Sequence, residues 1–157
     1  MTTRSPEAAL AVLDPARIVI PSLHLDEPLI PLGILPSGSM EVPEDAGDAG
    51  WLTTAGRPGG VLPTVIVGHV DSAFGPGVFF ELTSLSPGAV VTVLLQTGVR
   101  AEYRVTRVAD YPKTDIPTAV IFGANGHDEL RLITCTGDFD ENARSYRANR
   151  VVFADRV

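Results

Sequence analysis

The chain has 157 residues, of which 45% are hydrophobic and 20% charged, and this composition is that of one folded domain rather than a disordered segment. With 12 basic and 19 acidic residues the formal net charge is -7, which excludes a nucleic-acid backbone as a partner because no basic surplus is available to neutralise phosphates. A single cysteine excludes an internal disulfide and a multi-cysteine zinc site. No apolar run approaches the ~18 residues of a membrane-spanning helix.

Residues 1–15 lack periodicity and are predicted to form a flexible arm, so the folded domain is expected to cover residues 16–157. The rest of the chain consists of short β-branched runs separated by glycine and proline, which is typical of an all-β fold. About eight strands are predicted, a number that suits a closed barrel or a sandwich. In chain order they are Arg17–Ile20, Pro28–Leu32, Ser39–Val42, Val61–Gly68, Ala89–Leu95, Ala101–Val108, Leu130–Thr134 and Arg150–Ala154.

The segments between these runs carry weaker signals. Residues 77–82 and 112–120 each have room for one short helix, and residues 44–63 are predicted to be a surface loop that Trp51 pins to the body. Acidic residues in that loop lack the spacing of a calcium-binding EF-hand, so a solvated turn is expected for Glu44, Asp45 and Asp48. His24 and His127 are expected at the surface.

Two residues with reactive side chains stand at the ends of predicted strands. Cys135 ends the apolar run Leu-Ile-Thr-Cys, and His69 follows the buried run Val65-Ile-Val-Gly. A free thiol has a pKa of about 8.5, so a nucleophilic cysteine at neutral pH needs a base or a cation beside it, and an imidazole supplies either. Their separation of 66 residues (135 minus 69) is no obstacle, since such partners need only meet in space. Most lone cysteines are buried and inert, and that reading stays open here.

Further polar groups complete the set of candidates. Asp71 either orients His69 as a third catalytic member or caps a turn, and the turn is favoured. Arginines near the C-terminus are suited to hold an oxyanion or a peptide backbone, and they are Arg144, Arg147 and Arg150.

The ordered set of motifs resembles the sortase family of cysteine transpeptidases. It includes Gly68-His-Val-Asp-Ser, Leu132-Ile-Thr-Cys-Thr-Gly-Asp-Phe-Asp and the final run Val151-Val-Phe-Ala, and it covers nearly all of residues 17 to 154. Earlier motifs continue the likeness, among them Gly33-Ile-Leu-Pro-Ser-Gly, Gly50-Trp and Gly75-Pro-Gly-Val-Phe-Phe-Glu-Leu. The combination is most similar to the class F sortases of high-GC Gram-positive bacteria.

The resemblance implies a closed eight-stranded β-barrel with one or two short helices. It also implies a reaction in which the cysteine attacks the Thr carbonyl of a Leu-Pro-x-Thr-Gly-like sorting signal and forms a thioester. An amine, from a peptidoglycan precursor or a pilin lysine, then takes the acyl group, which anchors surface proteins to the cell wall. Carried over by position, Cys135 is the nucleophile and His69 its acid/base partner.

When the final run Val151-Val-Phe-Ala is aligned with the last strand of the family, the family's catalytic arginine aligns with Asn149. This arginine therefore has no direct counterpart in the chain. Strand alternation puts Arg147 on the face of Asn149 and turns Arg150 away. Arg147 is therefore the first candidate for the oxyanion, ahead of Arg131 and Arg150. Arg131, Thr134 and Asn149 are predicted to contact the substrate, and the Asn149 amide is a further candidate donor to the oxyanion.

Other functions stay open at this stage. A hydrolytic cysteine peptidase needs the same residues, whereas an L,D-transpeptidase needs a Ser-His-Gly-Cys run that does not precede Cys135. A non-catalytic β-barrel binding module would leave Cys135 buried and unreactive. The resemblance further implies a monomer without metal or cofactor. Sortases normally carry an N-terminal membrane anchor, so we expect a shortened form of an enzyme of the extracellular membrane face.

Overall fold

The computed structural model describes residues 14–140 and 145–157, with side chains except those of residues 135–140, 145 and 146. Most of the predicted arm lies outside the described residues, although Pro15 already belongs to the first strand. The described chain contains ten strands, of which eight are long. They are β1 (Pro15–Ile20), β2 (Leu25–Leu32), β3 (Ala49–Leu52), β4 (Thr64–Gly68), β5 (Asp71–Ser72), β6 (Gly75–Pro76), β7 (Val90–Leu95), β8 (Arg100–Pro112), β9 (Glu129–Asp140) and β10 (Ser145–Arg156).

The eight long strands form a closed barrel in the order β1-β2-β3-β4-β9-β10-β8-β7, with β7 pairing back onto β1. This confirms the predicted closed eight-stranded barrel. Two neighbouring pairs are parallel, β2 with β3 and β4 with β9, and the others are antiparallel. The short strands β5 and β6 form a hairpin of their own directly after β4.

Strand alternation fills the barrel interior as the sequence predicts. Along β8, Ala101, Tyr103 and Val105 are buried while the intervening Arg100, Glu102 and Arg104 are exposed. Burial removes these apolar side chains from water, and the interior cluster continues across the sheet through Ile66, Leu132 and Val152.

A second apolar cluster covers the outer face of β4, β9 and β10. Its members are the residues that alternate with the interior ones, among them Val65, Ile133, Val151 and Phe153, and Ile121 packs on them from a short helix. Both faces of these three strands are therefore covered, which is why Val65-Ile-Val reads as a continuous apolar run.

Two predicted elements differ from the structure. Residues 39–42 form no strand and contribute one isolated bridge between Ile34 and Met40. Within the predicted loop 44–63, in turn, residues Ala49–Leu52 form β3, because their backbone inserts between β2 and β4. Trp51 is buried as expected, and its indole Nε1 donates to the Gly56 carbonyl at 3.1 Å.

The helical elements are short. One 3₁₀ turn spans Pro21–Leu23, another spans Phe80–Ser84 near the predicted residues 77–82, and the α-helix α1 (Thr118–Phe122) lies at the end of the predicted segment 112–120. Within the described part of the chain, no helix has the length and apolar character needed to cross a membrane. His24 and His127 are exposed, as expected.

Tyr103 provides a test of the barrel interior. Its ring is fully buried and its hydroxyl donates to Asp128 Oδ1 at 2.7 Å. Replacing Tyr103 with Phe removes a hydrogen bond to a carboxylate, so the free energy of unfolding in urea is expected to fall by about 1–2 kcal/mol. The matched variant Tyr111→Phe removes a hydroxyl whose described contact is a long one, 3.4 Å from Arg107, and is expected to change it by less than about 0.5 kcal/mol. Equal losses in both variants would contradict this assignment.

The same residue predicts a pH dependence of stability. Burial, assisted by the hydrogen bond to Asp128, raises the pKa of the Tyr103 hydroxyl. Folding therefore favours the protonated phenol, and stability from Tyr103 is complete below the unfolded pKa of about 10 and is lost as pH rises above it. The difference in unfolding free energy between wild type and Tyr103→Phe should shrink in that direction, and a difference that grows above pH 10 would have the wrong sign.

Candidate active site

The parallel pairing of β4 with β9 aligns the two reactive residues of the sequence. Partners in this ladder run from Thr64 with Leu130 to Val67 with Ile133, a constant difference of 66 in residue number. The same difference separates His69 from Cys135. The backbone of His69, one residue beyond the end of β4, therefore follows the register that leads to Cys135, and neighbouring strands lie only about 4.8 Å apart. The Cys135 thiol lies outside the side chains that the structure describes.

On the other side of β9, the register partner of Cys135 is Asn149 of β10. Asn149 lines an apolar groove with a volume of about 420 Å³ on the outer face of the barrel. Ile133 and Val151 form the floor of this groove, and the walls include Leu52 and Ile121. The Asn149 Oδ1 atom is buried without a hydrogen-bond partner among the described residues.

The His69 ring is held by a backbone carbonyl. Its Nε2 atom lies 2.5 Å from the carbonyl oxygen of Pro43, a buried residue of the connection between β2 and β3. The sequence points to Asp71 as a candidate orienting group and gives no sign of Pro43. Every residue carries a backbone carbonyl, so residue type does not show which carbonyl contacts His69. Asp71 begins the β5–β6 hairpin, opposite Pro76.

The backbone of His69 is fixed by the segment that follows the hairpin. Phe79 N donates to the His69 carbonyl at 3.0 Å, and Gly77 N donates to the Val70 carbonyl at 2.9 Å. A Cβ atom on Gly77 would lie 2.3 Å from the His69 oxygen, so only glycine allows this close approach.

His69 also borders a second, more polar cavity of about 580 Å³. Its lining includes Glu44, Asp45 and Asp71, together with Phe74, whose ring is fully exposed at the tip of the hairpin. Carboxylates at this opening favour the approach of a positively charged group over an anionic one.

Two predicted substrate contacts lie away from the groove. Arg131 is buried, pairs with Glu129 at 2.5 Å and stacks on the Phe153 ring at 4.6 Å. Thr134 is buried as well, in register with Arg150, and its Oγ1 has no hydrogen-bond partner among the described residues. Of the three predicted contacts, Asn149 is the one that the described groove lining contains.

The remaining arginines occupy different surroundings. Arg150 makes a two-fold ion pair with Asp110 of β8 at 2.7 and 2.8 Å, and these hydrogen bonds raise the pKa of its guanidinium. Its side chain is thus engaged with β8, as the predicted turn away from the Asn149 face implies. Arg147 is exposed at an irregularity where the register of β10 with β9 shifts, so strict alternation from Asn149 does not extend to it. Arg144 lies outside the described residues.

No group of three or more His, Cys, Asp or Glu side chains in the described ranges is arranged to hold a metal ion. The chemistry that the arrangement offers is that of an imidazole beside a cysteine position, with an apolar groove next to it. A thiol and an imidazole are the pair of groups that nucleophilic acyl transfer requires when they meet in space.

Comparison with protein-family models matches residues 18–157 to the sortase domain. Comparison with the curated proteins gives no match. Among solved structures, a lid mutant of sortase A from Corynebacterium diphtheriae superposes with a TM-score of 0.70 at 23% identity, over 91% of this chain and 69% of that one.

Sortase C1 from Streptococcus agalactiae gives a TM-score of 0.71 at 20% identity, over 90% of this chain and 66% of the other. Sortase C-1 from Actinomyces oris gives 0.68 at 23% identity, over 100% and 85%. At these identities the structural likeness establishes the barrel fold.

Gly77 tests how the His69 backbone is held. Replacing Gly77 with Ala forces the methyl group against the His69 carbonyl, so we expect a loss of about 1–3 kcal/mol in unfolding free energy and a displaced His69 ring signal in NMR spectra. Gly33→Ala is the matched control, because a Cβ there meets nothing within 4 Å. If Gly77→Ala resembles the control in stability and in the His69 signal, the close approach does not hold His69.

Proposed function

Because this chain belongs to the sortase family of cysteine transpeptidases, we propose that it cleaves a Leu-Pro-x-Thr-Gly-like sorting signal and transfers the acyl part to an amine. The observation that carries the proposal is the β4–β9 register, whose constant difference of 66 relates His69 to Cys135. We propose Cys135 as the nucleophile and His69 as the acid/base partner.

In the first half of the reaction, the Cys135 thiolate attacks the Thr carbonyl carbon of the sorting signal and a carbon–sulfur bond forms. The Thr–Gly amide bond breaks, and His69 protonates the departing amine. In the second half, an amine attacks the thioester carbon, the carbon–sulfur bond breaks, and His69 accepts the proton that the amine loses. The acyl group is then joined to the acceptor and the thiolate is restored.

The apolar groove supports an apolar sorting signal as the first substrate. Its floor of Ile133 and Val151 and its wall residue Ile121 offer aliphatic contacts of the kind that bind Leu and Pro side chains. Asn149 is a polar residue of the groove lining and is the register partner of Cys135, so a peptide in the groove has an amide group close to the reacting end.

The oxyanion that forms during attack needs hydrogen-bond donors. Arg147 stays our first candidate, because it lies two residues from Asn149 on β10 and is exposed. Arg131 and Arg150 follow it as candidates: Arg131 is buried beside Glu129, and Arg150 extends toward Asp110 of β8. The Asn149 amide is the alternative donor.

The family also suggests the setting of the reaction. Sortases are cell-surface enzymes that act on surface proteins bearing a sorting signal, and they use amine acceptors. We propose the extracellular face of the membrane as the location, and a peptidoglycan precursor or a pilin lysine as the acceptor. The ordered motifs favour class F within the family.

The first test removes the proposed nucleophile and base. Cys135→Ala is expected to abolish the covalent thioester with a Leu-Pro-x-Thr-Gly peptide, measured as a mass increase of the intact protein. His69→Ala is expected to lower kcat/KM by about 10²–10⁴-fold because general acid/base transfer is lost. His24→Ala, which removes an exposed imidazole, should behave like wild type.

Thioester formation by Cys135→Ala would end the proposal. Adding an amine such as a glycine peptide separates transfer from hydrolysis. A ligated product is expected, and release of the free acid alone at saturating amine would favour a hydrolytic peptidase instead.

A second test ranks the arginines. Arg147→Ala is expected to lower kcat/KM by about 10²-fold, the size of a lost oxyanion donor, with little change in stability. Arg150→Ala should leave kcat/KM nearly unchanged. Arg131→Ala should mainly destabilise the fold, since it leaves Glu129 buried without its charge partner. The ranking is wrong if Arg147→Ala is fully active while the folded Arg131 or Arg150 variant is not.

A further inference from the structure

We infer that the backbone carbonyl of Pro43 orients the His69 ring and keeps a proton on Nε2, so that Nδ1 is the nitrogen that gains and loses the proton during the reaction. Glu41 is the positioning residue that holds this carbonyl in place. The inference deepens the proposed function, because it rests on His69 acting as the acid/base partner.

The hydrogen-bonding roles follow from chemistry. A carbonyl oxygen can only accept, so the contact between His69 Nε2 and the Pro43 oxygen requires that Nε2 carries the hydrogen. In a neutral imidazole the other nitrogen, Nδ1, is then the acceptor. When Nδ1 takes up a proton, Nε2 keeps its hydrogen and its bond to Pro43. The ring orientation is thus preserved in both protonation states.

The carbonyl itself is fixed by the connection between β2 and β3. Two residues before Pro43, the Glu41 carboxylate accepts a hydrogen bond from Gly33 N at 3.0 Å, and Glu41 N donates to the Gly33 carbonyl at 2.9 Å. These two bonds close the base of the connection, and the bridge between Ile34 and Met40 continues the pairing inside it.

A second tether lies beyond Pro43. The Ala46 carbonyl accepts a hydrogen bond from Val78 N at 2.8 Å, and the next residue, Phe79, donates its N–H to the His69 carbonyl. The segment of residues 77–79 therefore holds both the backbone of His69 and the chain that carries Pro43. The His69 backbone and the chain that carries the Pro43 carbonyl are thus bound to the same segment, so the imidazole ring and its hydrogen-bond acceptor keep their relative position.

The first experiment measures the His69 proton directly in the full chain. With the protein labelled with ¹⁵N, long-range ¹H–¹⁵N spectra at about pH 8, where imidazoles with ordinary pKa values are neutral, identify the protonated nitrogen of each of the 3 histidines. His24→Gln and His127→Gln assign the other two signals. We expect His69 to carry a slowly exchanging Nε2 proton with cross-relaxation to Pro43. An Nδ1 proton, or an Nε2 proton that exchanges freely, would overturn the inference.

Variants of Glu41 test how the carbonyl is positioned. Glu41→Ala should abolish the exchange protection of the His69 proton and lower kcat roughly tenfold at an unchanged KM, because the acid/base group is misplaced while the groove is intact. Glu41→Gln should restore both, since its amide oxygen can still accept from Gly33. Asp48→Ala, an exposed carboxylate in the same connection, should match wild type.

Asp71→Asn tests the main alternative, in which the Asp71 carboxylate orients the His69 ring. Loss of the protected proton in Asp71→Asn but not in Glu41→Ala would assign the orienting role to the carboxylate and overturn ours. The proposed function fails separately, through thioester formation by Cys135→Ala, and a wrong His69 tautomer would leave it standing.

Discussion

The parallel ladder between β4 and β9 is the interaction on which the site depends. Thr64 to Val67 pair in strict succession with Leu130 to Ile133, so a slip of one residue would move every side chain of one strand to the opposite face. Burial on both faces makes such a slip costly. The ladder therefore fixes where β4 ends relative to β9, and with it the relative positions of His69 and Cys135.

The two apolar clusters explain why the ladder is rigid. Ile66 and Leu132 face the barrel interior, whereas Val65 and Ile133 face the outer cluster under α1. A strand with apolar side chains on both faces needs a second layer over its outer face, and here α1 and the connections around it supply that layer. This layer does not cover the outer face completely, and the uncovered part is the groove. One part of the apolar surface is therefore packed beneath the layer, whereas another part lines the open groove.

Several arginine side chains contact carboxylates or aromatic rings within the fold. Arg131 sits between Glu129 and the Phe153 ring, and Arg150 spans to Asp110 on the next strand. The stacking of Arg131 on Phe153 links β9 to β10, and the pair of Arg150 with Asp110 links β10 to β8. These contacts reduce the freedom of both arginines to contact a substrate. Asn149 is instead the register partner of Cys135 on β10, and His69, whose ring contacts the Pro43 carbonyl, follows the end of β4 on the other side of β9.

The sequence by itself determined the all-β class, most strand positions and the pair of reactive residues, because period-two burial and the residue types of a thiol and an imidazole are local properties. It misplaced β3, whose four residues become a strand only when β2 and β4 lie on either side. The contact of the Pro43 carbonyl with His69 and the pairing of Arg150 with Asp110 were decided by the tertiary structure alone. Backbone groups and ion pairs acquire their partners through contacts between distant segments, and no single stretch of residues encodes those contacts.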